Sequence, residues 1–147
     1  MKAFGPRATF DDVNLILRLY DMRRDDRLRE ARRWFVANFK VRTFDEFTKL
    51  CAPGTEANAS YRMVTSYWEM VASFINTGVL NADLFYQSGR ELLFTYARAR
   101  FMLPELRENK LGLGLPEIWL IYDFDPVHDT PGSAHSRKFL YADGHVD

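Results

Sequence analysis

The sequence has only one cysteine, no long apolar run and no net charge. With Cys51 alone, no disulfide can form within the chain, which is typical of a cytoplasmic protein. The longest apolar stretches, such as residues 118–122, are far too short to span a membrane. The 20 basic residues balance 20 acidic ones, which argues against a globally basic nucleic-acid-binding protein. We therefore expect a soluble cytoplasmic protein without a membrane segment, and nucleic acid is an unlikely class of partner.

The sequence does contain enough apolar material for one folded domain. Of its 147 residues, 47% are hydrophobic and 15% are aromatic, and a chain of this length can bury a substantial core. The zero net charge conceals an uneven distribution. Residues 1–50 carry a net charge of +4, and residues 51–147 carry a net charge of −4.

Helix-start signals and apolar spacing predict helices along the first half of the chain. Thr9 followed by acidic residues is typical of a helix start, and one apolar face follows it: Val13, Ile16, Leu17 and Tyr20. A second helix is predicted over about residues 26–39, with an inner face of Leu28, Ala31, Phe35 and Phe39. Thr43 and Glu46 have the spacing of a capping box and predict a short helix that ends near Cys51.

The clearest helix is predicted over residues 55–76, where apolar residues alternate at spacings of four and three. Gly78 suits the left-handed position that follows a helix. Asn81 is predicted to cap one further helix that continues to about residue 102. Gly89 falls in the middle of that helix and marks either a kink or a close approach by Trp34 or another large aromatic side chain.

These elements predict an all-α, single-domain helical bundle of five or six helices with a weakly ordered C-terminal tail. The expected boundaries are an N-terminal extension over residues 1–8, a helical domain over 9–125 and a tail over 126–147. Residues 117–124 suit either a helix or a short strand, and we favour the helix because no other strand is predicted to pair with it.

A run of arginines interleaved with acidic residues is the strongest local feature. Its members Arg23, Arg24, Arg27 and Arg29 are candidates for binding an anion such as a phosphate group. The interleaved acids lie at helical neighbour spacings, which favours a solvated face of salt bridges instead. The second interpretation is the stronger one.

Glu69 is the second feature, because it lies in the most apolar predicted helix and a carboxylate there needs a partner. Arg32 and Arg33 are the obvious candidates, and such an ion pair would join the basic and acidic halves of the chain. The alternative is a catalytic general acid or base, for which the sequence offers no companion group.

No metal site and no cofactor is predicted. The three histidines, His128, His135 and His145, match no standard zinc spacing. The glycines at 112 and 114 lack the lysine and the third glycine of a phosphate-binding loop.

Four segments together carry a resemblance to a known family: LYDMR at 19–23, ARRWF at 31–35, YWEMVA at 67–72 and TGVLN at 77–81. In this order they resemble a bacterial family of small all-helical proteins known only as a domain of unknown function. The likeness covers roughly residues 10–125. It implies an all-α fold and supplies no catalytic residue.

The function that the sequence favours is a non-enzymatic protein-interaction or regulatory module. The absence of a catalytic constellation and the surplus of aromatic and arginine side chains support it, since both residue types are enriched at interfaces. A homodimer or another protein partner is expected. The alternatives are an anion or nucleic-acid binder that uses the segment from Arg23 to Arg33 and, third, an enzyme that uses Glu69.

Overall fold

The computed structural model describes residues 7–102, which form six α-helices and a closing 3₁₀ turn. The helices are α1 (Phe10–Met22), α2 (Asp26–Asn38), α3 (Phe44–Leu50), α4 (Glu56–Asn76), α5 (Ala82–Tyr86) and α6 (Arg90–Ala99). No strand occurs in this part of the chain, which agrees with the predicted all-α class. The predictions for residues 117–124, for the tail and for the boundary at 125 lie outside the described residues.

Threonine side chains begin the helices where the sequence predicts. Thr9 and Asp12 form a complete capping box, in which the Asp12 carboxylate accepts from the Thr9 backbone N–H at 2.7 Å. Thr43 accepts from the backbone N–H of Glu46 at 3.2 Å. The Glu46 carboxylate reaches back one residue further than predicted, to the backbone N–H of Arg42 at 2.7 Å. The two threonine hydroxyls each accept from a first-turn N–H that has no partner within its own helix.

Helices α2 and α4 pack against each other and form the centre of the core. The inner face of α2 is the predicted one, and α4 contributes Trp68 and Val71, which are almost fully buried. An aromatic layer closes one end of this pair. Phe35 stacks on Phe39 with ring centroids 4.6 Å apart, and Phe39 stacks on Tyr61 at 5.2 Å. Burial of such rings is the largest favourable contribution to a core of this kind.

Side chains from other helices satisfy the backbone groups at several helix ends. Arg98 on α6 donates to the carbonyl of Phe39, which follows α2, at 2.7 Å. The Tyr67 hydroxyl on α4 donates to the Leu19 carbonyl in the last turn of α1 at 2.6 Å. These bonds fix the position of each helix end as well as its hydrogen bonding.

The same arrangement joins the starts of α1 and α5. The buried Asp12 carboxylate accepts from the backbone N–H of Asn81 at 2.7 Å, while its other oxygen serves the capping box. The hydrogen bonds from the backbone groups of Thr9 and Asn81 lower the pKa of Asp12 below its ordinary value. One carboxylate therefore anchors the N-terminal end of α1.

The predicted helix over residues 81–102 is divided in two at Gly89, which is the N-cap of α6. An ideal Cβ on Gly89 would lie 2.5 Å from Cζ and 2.8 Å from Cδ1 of the Phe85 ring, closer than van der Waals contact allows. The close aromatic approach is therefore confirmed, and its partner is Phe85. Gly78 has φ of 77°, the left-handed conformation predicted for it.

We expect Gly89→Ala to lower the free energy of unfolding by about 1–3 kcal/mol, because the added methyl group overlaps the buried Phe85 ring. Urea denaturation of the variant measures this. Phe85→Leu is the matched second change, since it removes Cε1 and Cζ, the two ring atoms nearest to the added methyl group. The double variant should cost clearly less than the sum of the two single variants, whereas simple additivity would contradict the clash.

Candidate functional site

Three charged side chains, from the end of α1, from α2 and from α6, meet in one cluster, which we call the Glu91 clamp: Arg23, Arg32 and Glu91. The Arg32 guanidinium donates from Nε and from Nη2 to the two carboxylate oxygens of Glu91, both at 2.5 Å. Arg23 donates from Nη2 to the same carboxylate. The three side chains are about four-fifths buried, so this is a charged contact within the fold and not a surface pair.

The helices place these charges where their backbones favour them. Glu91 lies in the first turn of α6, where unpaired N–H groups stabilise an anion. Arg23 follows the last residue of α1, where unpaired carbonyls stabilise a cation. Arg32 also donates to the Arg23 carbonyl at 3.3 Å, so it contacts both the carboxylate and the end of α1. The hydrogen bond to Glu91 raises the pKa of Arg32 above its ordinary value.

Aromatic side chains enclose the Arg23 end of the clamp. The Arg23 guanidinium lies 5.2 Å from the ring centroid of Trp68 and 5.4 Å from that of Tyr20, both within cation–π range. Burial raises the pKa of the neighbouring Tyr67 to about 12. The positive charges of Arg23 and Arg32 oppose that rise, because they favour the phenolate.

The partner of Arg32 is Glu91 and not the predicted Glu69. Arg33 is exposed, and among the described residues it makes no ion pair with Glu69. Neighbouring residues on a helix point about 100° apart. Because Trp68 faces the core, Glu69 lies to one side of the contact with α2. An ion pair between the basic first half and the acidic remainder does exist, but it runs to α6.

Glu69 lies partly buried on α4, where burial raises its pKa to about 7. Within residues 7–102, it makes no ion pair. Burial raises the pKa of Tyr61, two turns earlier, and the charge of Glu69 adds to that shift. Such a carboxyl can gain or release a proton near neutral pH. No group of acidic, histidine or cysteine side chains in the described part of the chain could hold a metal ion beside it.

The candidate anion-binding arginines do not form one site. Arg23 belongs to the Glu91 clamp, whereas Arg24, Arg27 and Arg29 are exposed. Arg29 donates to the carbonyl of Arg24 at 3.2 Å and lies 3.9 Å from the carboxylate of Asp26. These contacts are those of the solvated face of mixed charge that the spacing favours.

Four of the exposed large hydrophobic side chains in the described part of the chain lie in a line along α1, which we call the α1 stripe: Phe10, Val13, Leu17 and Tyr20. Their exposed fractions are 78%, 40%, 57% and 50%. The spacings of three, four and three place them on one side of the helix. Of the predicted apolar face of α1, Val13, Leu17 and Tyr20 are exposed and only Ile16 packs against the core, where Leu19 supplies the buried contact. Sequence spacing alone cannot distinguish a face that packs inward from one that faces solvent.

A comparison with protein-family models places the chain in a family. Residues 8–112 match the model described as Domain of unknown function (DUF4760). The chain belongs to this family. The match agrees with the resemblance found in the sequence, and it covers the whole described part of this DUF4760 protein except Arg7. No curated protein matches the chain, and no solved structure does.

Among the described residues, none of the helices of this DUF4760 protein has both the length and the apolar character needed to cross a membrane. The three histidines considered as metal ligands, His128, His135 and His145, lie outside the described residues. The cytoplasmic location and the bacterial origin stay predictions.

We expect Glu91→Gln to lower the free energy of unfolding by about 2–3 kcal/mol, because two mostly buried guanidinium groups lose their counter-charge. Thermal and urea denaturation measure the loss. Asp45→Asn is the matched control: Asp45 pairs with Lys49 at 2.6 Å, but both side chains are about three-quarters exposed. The control should cost less than about 1 kcal/mol. Equal losses in the two variants would show that the clamp contributes no more than a surface pair.

We expect Glu69→Gln to remove a pH-dependent loss of stability. A carboxyl with a folded pKa of about 7 and an ordinary unfolded value of 4.5 holds its proton in the native state while the unfolded chain ionises. The native state is therefore penalised progressively as pH rises from about 4.5 to 7, and the penalty stays constant above that. Relative to the native sequence, Glu69→Gln should gain about 1–3 kcal/mol between pH 4 and pH 8.

Urea denaturation at the two pH values measures this difference. Glu30→Gln changes an exposed glutamate on α2 and is the matched control. If both variants shift with pH by the same amount, the effect does not come from the buried position of Glu69.

Proposed function

We propose that this protein is a protein-interaction module that presents the α1 stripe to a partner. The observation that supports this most directly is the exposure of Phe10, Leu17 and Tyr20 on a helix whose two ends are anchored by buried hydrogen bonds. A contiguous apolar patch on a rigid element is the usual form of a binding surface.

The ends of α1 make the stripe a preformed surface. Asp12 ties the first turn to the start of α5, and Tyr67 ties the last turn to α4. Arg23 then joins the end of the helix to α6 through the Glu91 clamp. A surface that is already ordered before binding loses little conformational entropy when it binds.

We do not propose anion or nucleic-acid binding as a second function. The clamp holds Arg23 and Arg32 against Glu91, which leaves three of the four candidate arginines on a surface that also carries Asp25 and Asp26. Catalysis by Glu69 has no support from a neighbouring nucleophile or metal-binding group in the described part of the chain.

A photo-crosslinking amino acid at position 17 tests the proposal in cells that naturally produce the protein. We expect light-dependent capture of a protein at this position, and expect the additional change Val13→Asp to reduce it, because a charge would then lie inside the interface. The same amino acid in place of Val36, which is 50% exposed on α2, is the matched control. Equal capture at positions 17 and 36, or capture at neither, would contradict the proposed function.

A further inference from the structure

We infer that the protein binds one small monovalent anion, of the size of chloride, between Nε of Arg23 and Nε1 of Trp68. The inference goes beyond the proposed function and does not depend on it, because it concerns the interior beside the Glu91 clamp and not the α1 stripe. It rests on two unpaired donors, on the charge of the clamp and on the acceptors around it.

Two buried N–H groups beside the clamp have no hydrogen-bond partner within the described residues: Nε of Arg23 and Nε1 of Trp68. Trp68 is only 1% exposed, so its indole N–H is shielded from bulk water. A buried donor without an acceptor is costly, and native structures pair almost all such groups with protein, with an ordered water or with an ion. The two nitrogens therefore point to a bound acceptor.

The two donors belong to side chains that contact each other. Cζ of Arg23, to which Nε is bonded, lies 5.2 Å from the centroid of the Trp68 ring, of which Nε1 is a part. An acceptor about 3 Å from each nitrogen can serve donors that are up to about 6 Å apart. One ion at the edge of the indole ring can therefore accept from both.

The charge of the clamp favours an anion as this acceptor. Arg23 and Arg32 carry two positive charges, and Glu91 supplies one negative charge. Burial raises the pKa of the neighbouring Tyr67 to about 12, so its hydroxyl is neutral at pH 7 and adds no negative charge. One mostly buried positive charge therefore has no counter-charge within the clamp, and a monovalent anion supplies it.

The charged side chains on the surface nearby do not supply that counter-charge. Asp21, Asp25 and Asp26 are exposed, as is Arg24, and solvent screens all four. The inferred ion is thus a structural part of the interior. It differs from the phosphate site that the exposed arginines of the same segment would form on the surface.

The acceptors around the clamp favour an anion over a water molecule. A water brings two hydrogens that need acceptors of their own, whereas an anion needs only donors. The nearby acceptors already take part in hydrogen bonds: the carbonyls of Leu19, Asp21, Met22 and Arg23, and both carboxylate oxygens of Glu91. The site therefore offers donors and few unused acceptors.

The indole N–H signals of the full chain, followed by ¹⁵N NMR, test the inference directly. The protein has three tryptophans, and the signals of Trp34 and Trp119 are assigned as those that disappear in Trp34→Phe and Trp119→Phe. Sodium chloride replaces sodium gluconate, whose anion is too large for a buried site, at a constant ionic strength of about 0.3 M. A pH of 6 keeps the carboxyl of Glu69 mostly protonated, because burial raises its pKa to about 7.

We expect the Trp68 signal to move along a saturable curve with half-saturation at about 1–50 mM chloride. The Trp34 signal should stay in place, because its N–H is not one of the two unpaired donors. Arg23→Lys keeps the positive charge but removes the Nε–H group, and it should weaken binding by more than about tenfold. Arg24→Lys, the same change at an exposed neighbour, is the matched control and should bind like the native chain.

A Trp68 signal that does not respond to chloride overturns the inference. Half-saturation above about 200 mM does so too, because it indicates an adventitious ion only. Equal movement of the Trp34 signal, unchanged binding by Arg23→Lys or an equal loss in Arg24→Lys would place the ion elsewhere and would also overturn it. If circular dichroism shows that Arg23→Lys is unfolded, the Trp68 and Trp34 signals of the native chain decide the question on their own.

Discussion

The carboxylate of Glu91 is the contact on which the arrangement of the helices depends most. It accepts hydrogen bonds from Arg23 at the end of α1 and from Arg32 on α2, and it belongs to the first turn of α6. The elements that it joins are 59 to 68 residues apart in the sequence. A charged contact this well buried favours the observed arrangement of the three elements over any packing that buries one of these groups without its partner, because a buried unpaired charge is costly. The clamp also holds the end of α1, the helix that carries the α1 stripe.

The sequence predicts the helices and their starts well, because those signals are local. The N-cap threonines, the inner face of α2 and the left-handed Gly78 all follow from neighbouring residues. The break at Gly89 is harder to predict from the sequence, because a glycine within an apolar helical pattern fits both a kink and a new helix start. The Phe85 ring that decides between them approaches from the preceding helix.

The identity of the buried ion pair could not be predicted for the same reason. Treating residues 81–102 as one helix places Glu91 in mid-helix, where nothing distinguishes it from an ordinary solvated glutamate. Once α6 begins at Arg90, the same residue lies in a first turn, and an acid there is a recognisable signal. The partner of Arg32 was therefore sought on α4, at Glu69. The surplus of basic charge in the first half of the chain indicated such a contact but did not identify the acidic residue that makes it.

At four helix ends in the described part of the chain, a side chain from another helix hydrogen-bonds to a backbone group. These side chains are Tyr67 for α1, Arg98 for α2, Asn58 for α3 and Asp12 for α5. Melting one of these helices therefore removes the end group of another, and in three of the four cases that other helix is distant in the sequence. Local opening at these ends then costs more than the loss of one helix alone, because the four bonds link separate helices. Excised pieces of the chain would lack these end groups, so the helices hold their shape as a set rather than one at a time.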